Sequence, residues 1–140
     1  MYSGRSRGAD DWRRNQCAVR YLTQDDPEQY AKVRACVEAA INRGEQLLVN
    51  TAVLCELVWV LWGAYGYSRG EITDALEQIF ATAQFEIERL DEARQALRDF
   101  RTTKADFTDA LIGRINRAIG ATHTVTFDRD LKSIETFRLL

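Results

Sequence analysis

The chain has 140 residues, 46% of them apolar and 29% charged, with a net charge of −2. This balance excludes an intrinsically disordered chain and is enough for one domain with a substantial core. It also excludes a global basic field, so a polyanionic partner must be met by local basic patches or through a bridging cation.

Residues 1–13 are polar, rich in Gly, Ser and Arg, and without periodicity; they read as a tail, and residues 14–140 as a single domain. Order begins with CAVRYL. In DDPEQ the only proline, Pro27, sits at the first turn of a helix capped by Asp26, running to about Arg43 and ended by Gly44. QLLVN is apolar at its centre, as a buried parallel strand should be. A helix is expected from Thr51 to about Ala64. Ser68 and Glu71 form an S-x-x-E capping box opening another, through about Thr82. FEIERL reads as a strand, Asp91 as the cap of a helix to about Phe100, and Asp106 as the start of the next, which Gly120 ends. HTVTF alternates β-branched residues in the manner of a strand, DRDLK is a turn, and FRLL is a short closing strand. Strands alternating with helices imply an α/β class, a three-layer α/β/α sandwich around a mostly parallel five-stranded sheet.

The cysteines Cys17, Cys36 and Cys55 form no C-x-x-C pair and read as buried free thiols of a reducing compartment. A single histidine, His123, excludes a multi-histidine metal centre; packing in the core or at its rim accounts for it. The most apolar run, LVNTAVLCELVWVLWGAYGY, is broken by Asn50, Glu56 and two glycines, too interrupted for a membrane span. The basic N-terminal residues lack the apolar region of a secretory signal. The expected location is the cytoplasm.

Carboxylates carry the functional signal. Glu56 is the only charge in TAVLCELVWVLW, and an unpaired buried carboxylate is costly, so it is expected to face a crevice holding a partner or a cation; a narrow solvent stripe with Ala52 and Gly63 is the other reading. In KADFTDALIGR, Asp106 and Asp109 lie three residues apart at a helix start, where like charges repel but a cap and the helix dipole favour an acid. Asp128 follows the strand HTVTF at its carboxyl end, the edge where open α/β sheets place ligand crevices, although turn formation also explains Asp128 and Asp130. Glu56, Asp109 and Asp128 all fall at one end of such a sheet. Their mutual repulsion is relieved by a hard divalent ion, Mg²⁺ or Mn²⁺, with Asp106 capping and Asp109 facing the metal.

The chain resembles the PIN-domain family, most closely its VapC-type toxins. The resemblance rests on VRYLTQDDPEQYAKV, NTAVLCELVWVL with AYGYSRGEI, ADFTDALIGR, and HTVTFDRDLK with FRLL, in that order from about Val19 to Leu140. It implies a metal-dependent endoribonuclease, neutralised by a cognate antitoxin and often a homodimer. Glu56 matches the family's glutamate, Asp109 the acid of its D-A-L-I segment, Asp128 the acid of its T-x-D turn, and Thr126 the threonine before it. Asp106 and Asp130 match acids found in part of the family. One acid has no counterpart. Where the family has an apolar strand ending in D-T-N, this chain has Arg14-Asn15-Gln16 after the polar GADDWR, and Arg14 could serve as an internal counter-ion.

The implied chemistry is phosphodiester hydrolysis in which Glu56 and Asp109 hold the ion, Asp128 assists, and the ion lowers the pKa of bound water. Single-stranded or looped RNA is the expected substrate. Arg20, Arg69, Lys104, Arg114, Arg129 and Thr126 are candidates for contacting it. The alternative is a catalytically impaired interaction module that binds antitoxin or RNA without cleavage, with Trp59, Trp62, Tyr65 and Tyr67 on its contact surface.

Overall fold

The structure is a computed structural model and describes residues 2–3 and 14–140. Its elements are β1 (Tyr2–Ser3), α1 (Arg14–Thr23), α2 (Pro27–Asn42), β2 (Leu47–Val49), α3 (Thr51–Gly63), α4 (Arg69–Ala81), β3 (Phe85–Ile87), α5 (Leu90–Thr102), α6 (Phe107–Ala118), β4 (Thr124–Thr126), a 3-10 turn (Arg129–Leu131) and β5 (Phe137–Leu139). The chain divides into two compact units, Met1–Glu88 and Arg89–Leu140.

In the first unit, local chemistry sets the helix ends. Asp26 accepts a hydrogen bond from the Gln29 N–H at 3.0 Å, with Pro27 in the first turn. Asn50 does the same for Val53 at 2.9 Å, and Ser68 and Glu71 form the reciprocal capping box. Gly44, at φ 66°, makes the left-handed turn after α2 that a side chain would resist. The core joins Ala18 and Val19 of α1, Val33 and Val37 of α2, Leu54, Leu57 and Leu61 of α3, and Leu76 and Ile79 of α4 with Leu47, Val49, Phe85 and Ile87 of the strands. β2 and β3 run parallel, Leu47 beside Phe85 and Val49 beside Ile87. Tyr2 and Ser3, expected in the tail, add an antiparallel strand to β2. The remaining tail residues, 1 and 4–13, lie outside the described residues, and Arg14-Asn15-Gln16 opens α1.

In the second unit α5 packs on α6, with Phe100 and Phe107 meeting edge-on at 6.3 Å. Residues Ala105, Leu131, Ile134 and Phe137 form a small core cluster. Gly113 lets α6 approach the chain leading into β5. A Cβ there would stand 2.5 Å from the Phe137 ring and 2.6 Å from Thr136 Oγ1. β4 and β5 are parallel, with Thr124 beside Phe137 and Thr126 beside Leu139. By strand alternation the opposite face carries Val125, Phe127 and Leu140, which are 55%, 82% and 61% exposed.

The α/β class holds, but the five strands do not form one ladder among the described residues. They divide into β1-β2-β3 and β4-β5. Helix α5 also departs from expectation. Asp91 does not cap it; Arg89, in the left-handed conformation at φ 53°, precedes Leu90, and Asp91 lies in the first turn, where it favours the helix dipole. The cysteines are less covered than expected: Cys36 is exposed, and Cys17 and Cys55 are half-buried. His123 is exposed just ahead of β4, not packed in a core.

Candidate active site

The second unit gathers three of the expected acids. Asp106 caps α6, its Oδ1 accepting the N–H groups of Thr108 at 2.8 Å and Asp109 at 3.3 Å. Asp109, in the first turn, is half-buried. Burial pushes its carboxyl above the ordinary value, and the negative charges of Asp106 and Asp128 push it the same way. Asp128 reaches this neighbourhood from the far end of β4. Its N–H donates to Thr126 Oγ1 at 3.0 Å, and its Oδ1 accepts the Asp130 N–H at 2.9 Å to cap the 3-10 turn. Both readings of the sequence are therefore present: Asp106 and Asp128 perform local backbone duties and also place negative charge around Asp109. Asp128 and Asp130 are exposed.

An anionic niche made only of carboxylate oxygens suits a hard divalent cation in kind. No three of the second unit's Asp, Glu, Cys and His side chains are close enough to hold one ion together among the described residues. Mg²⁺ ordinarily takes one or two carboxylates and completes its shell with water, so the donor set fits.

Glu56 belongs to the first unit. It is exposed on α3, on a line with Ala52, Trp59 and Gly63. This is the solvent stripe with Ala52 and Gly63 rather than a crevice, and it is broader than expected: α3 buries Val53, Leu54, Leu57, Val58 and Leu61, while Trp59 and Trp62 are 77% and 54% exposed. An apolar side chain shows that a helix can be covered, not that it is.

Two of the expected RNA contacts are engaged in the scaffold. Arg20 donates to Tyr65 Oη at 2.6 Å, Gln29 Oε1 at 2.6 Å and Asp25 Oδ1 at 3.1 Å. Arg114 binds Asp99 through two hydrogen bonds and Glu135 through a third. Arg69 is half-buried at the start of α4, Thr126 is half-buried beside Asp128, and Lys104 and Arg129 are exposed. Sequence reasoning passed over Glu88, whose Oε1 accepts the Thr51 N–H at 3.2 Å at the head of α3. It follows β3 as Asp128 follows β4, and the same strand-end rule would have marked it.

A family model described as "PIN domain" matches residues 16–136. The chain belongs to the PIN-domain family. The match begins at Gln16, where the polar N-terminal sequence gives way to CAVRYL, and it includes Glu56, Asp106, Asp109, Asp128 and Asp130. This PIN domain is also similar to a VapC ribonuclease of Aquifex aeolicus (strain VF5), at 26% identity over 109 residues, which cover 78% of this chain and 81% of that protein. No solved structure matches it.

Proposed function

We propose that this PIN domain is a Mg²⁺- or Mn²⁺-dependent endoribonuclease of the VapC type, acting in the cytoplasm and neutralised by a cognate antitoxin. The observation that carries the reading is Asp109, a half-buried carboxylate set among the charges of Asp106 and Asp128 in a PIN-family chain similar to a VapC ribonuclease. When bound, the divalent ion supplies polarisation of the scissile phosphate and a water of lowered pKa. Asp109 and Asp128 would hold it, Asp106 and Asp130 would add negative charge nearby, and Glu56 is the further metal-site acid that the family resemblance implies. Thr126 fixes the backbone of Asp128, so that its carboxylate is presented from a defined turn. Lys104 and Arg129 meet phosphates and offset the acidic rim. Residues 14–140 act as one domain, and the protein forms a homodimer in which the exposed Trp59 and Trp62 of α3 are covered.

The test is cleavage of a labelled single-stranded RNA with Mg²⁺ or Mn²⁺ and with EDTA. Cleavage is expected only with the ion, and it falls sharply in Asp109→Asn and in Glu56→Gln. Unchanged cleavage in both variants removes the assignment. A second reading, binding of RNA or antitoxin without hydrolysis, is favoured by Arg14-Asn15-Gln16 standing where the family has an acid. Calorimetry with Mg²⁺ separates the two: heat of binding supports the nuclease, and none supports the module.

A further inference from the structure

Helix α5 presents a row of arginines to solvent. Arg94, Arg98 and Arg101 follow one another at spacings of four and three residues, and all three are exposed. Ala93, Ala96, Leu97 and Phe100 occupy the buried side. Like charges stacked on one helical face repel, so the row is unfavourable for the helix itself. Glu92, the acid that could temper it from the first turn, is paired with Arg89 at 3.1 Å, which leaves Asp91 ahead of Arg94. From Arg94 to Arg101 the helix rises about 10 Å. The row then leads to the acidic rim: α5 ends at Thr102, Lys104 is exposed, and Asp106 caps α6.

We propose that Arg94 and Arg98, continued by Lys104, form a track for the sugar-phosphate backbone of single-stranded RNA leading to the Asp106–Asp109–Asp128 rim. The identity of the ligand rests on the nuclease reading above. The rim repels a polyanion and the chain as a whole carries −2, so RNA can approach only along a local cationic surface. The exposed positions of this face, Asp91, Arg94, Arg98, Arg101 and Thr102, include no apolar residue. Protein-binding patches have an apolar centre, whereas nucleic-acid interfaces are polar and strongly positive.

The test is fluorescence anisotropy of a labelled oligouridylate with the full chain in EDTA, so that metal-dependent cleavage does not intervene. Wild type is compared with the double variants R94Q/R98Q and R94K/R98K across a salt series. The glutamine variant is expected to bind at least about tenfold more weakly at low salt, with a log–log salt slope shallower by about 1.4, the loss of two phosphate contacts to a single strand. The lysine variant keeps the wild-type slope. Thermal midpoints of all three should agree, since the side chains are exposed. The proposal is overturned if the glutamine variant matches wild type in affinity and slope, or if wild type fails to bind the oligouridylate. It is also overturned if oligoglutamate displaces RNA from wild type as well as unlabelled oligouridylate does, which would assign the row to an acidic protein. Arginine-dependent binding by a wild-type protein that cleaves nothing with Mg²⁺ upholds the track and removes the nuclease reading.

Discussion

Asp99 of α5 and Arg114 of α6 are joined by two hydrogen bonds of 2.7 Å each, from Nε and Nη2 to the two carboxylate oxygens. Both side chains are largely buried, and the remaining Arg114 nitrogen reaches Glu135 at 3.0 Å. Glu135 and Asp99 hold the Arg114 guanidinium more firmly protonated than usual, the Asp99 hydrogen bonds contributing most. Removing one partner of such a pair strands a buried charge, at a cost of about 3 kcal/mol. Arg114→Ala should lose about that much stability in urea unfolding, and Arg114→Lys should recover only part, because an ammonium cannot match both carboxylate oxygens at once. This assigns Arg114 to the scaffold instead of the RNA surface.

The second prediction concerns close approach at Gly113. Alanine there would place a methyl 2.5 Å from the Phe137 ring and 2.6 Å from Thr136 Oγ1, so Gly113→Ala should cost about 1–3 kcal/mol. The neighbouring Thr136 hydroxyl is buried without a hydrogen-bond partner among the described residues. Thr136→Val keeps the shape and removes the unmet polar atom, so it should be neutral or stabilising by up to about 1 kcal/mol. Chemical denaturation of both variants gives the two opposite signs.

Asp109 makes stability depend on pH in the direction opposite to an ion-paired carboxylate. Its carboxyl is raised in the folded chain above the ordinary 3.8, so between those two values the native state binds more protons than the unfolded one. Stability therefore falls as pH rises from about 4 through the folded value, and the penalty persists above it. Asp109→Asn should melt higher than wild type at neutral pH and match it in acid below the unfolded value. Mg²⁺ should raise the melting temperature of wild type at neutral pH and leave the variant unmoved.

If residues 14–140 are one cooperative domain, different probes must report one transition. Trp59 and Trp62 both lie in the first unit, whereas far-UV circular dichroism reads every helix. In a Trp12→Phe background, fluorescence and dichroism melts should superimpose. An early fluorescence change separated from the dichroism would show two independently unfolding units.

Much of the fold was legible because helix ends are local. Asp26 with Pro27, Ser68 with Glu71, and Asp106 each cap through hydrogen bonds spanning two or three residues, and the sequence displays those spacings directly. The start of α5 was not, because Arg89 enters it through backbone conformation without a side-chain cap. Nor was the Asp99–Arg114 pair, fifteen residues apart on two helices and made of residue types that usually face water. At the site, Asp109 and Asp128 were legible from their positions at a helix start and a strand end. For Glu56 the sequence left a crevice and a solvent stripe both open, because apolar neighbours reveal a helix's affinity for cover and nothing about what supplies it.

The bare face of the β4–β5 pair has a practical side. Val125, Phe127 and Leu140 form a greasy patch on two short strands, with Arg138 the charged residue among them. Concentrated preparations will tend to cloud through this patch first. A lysine in place of Phe127 is the natural starting point for a better-behaved sample, because it alters a side chain that holds nothing else together.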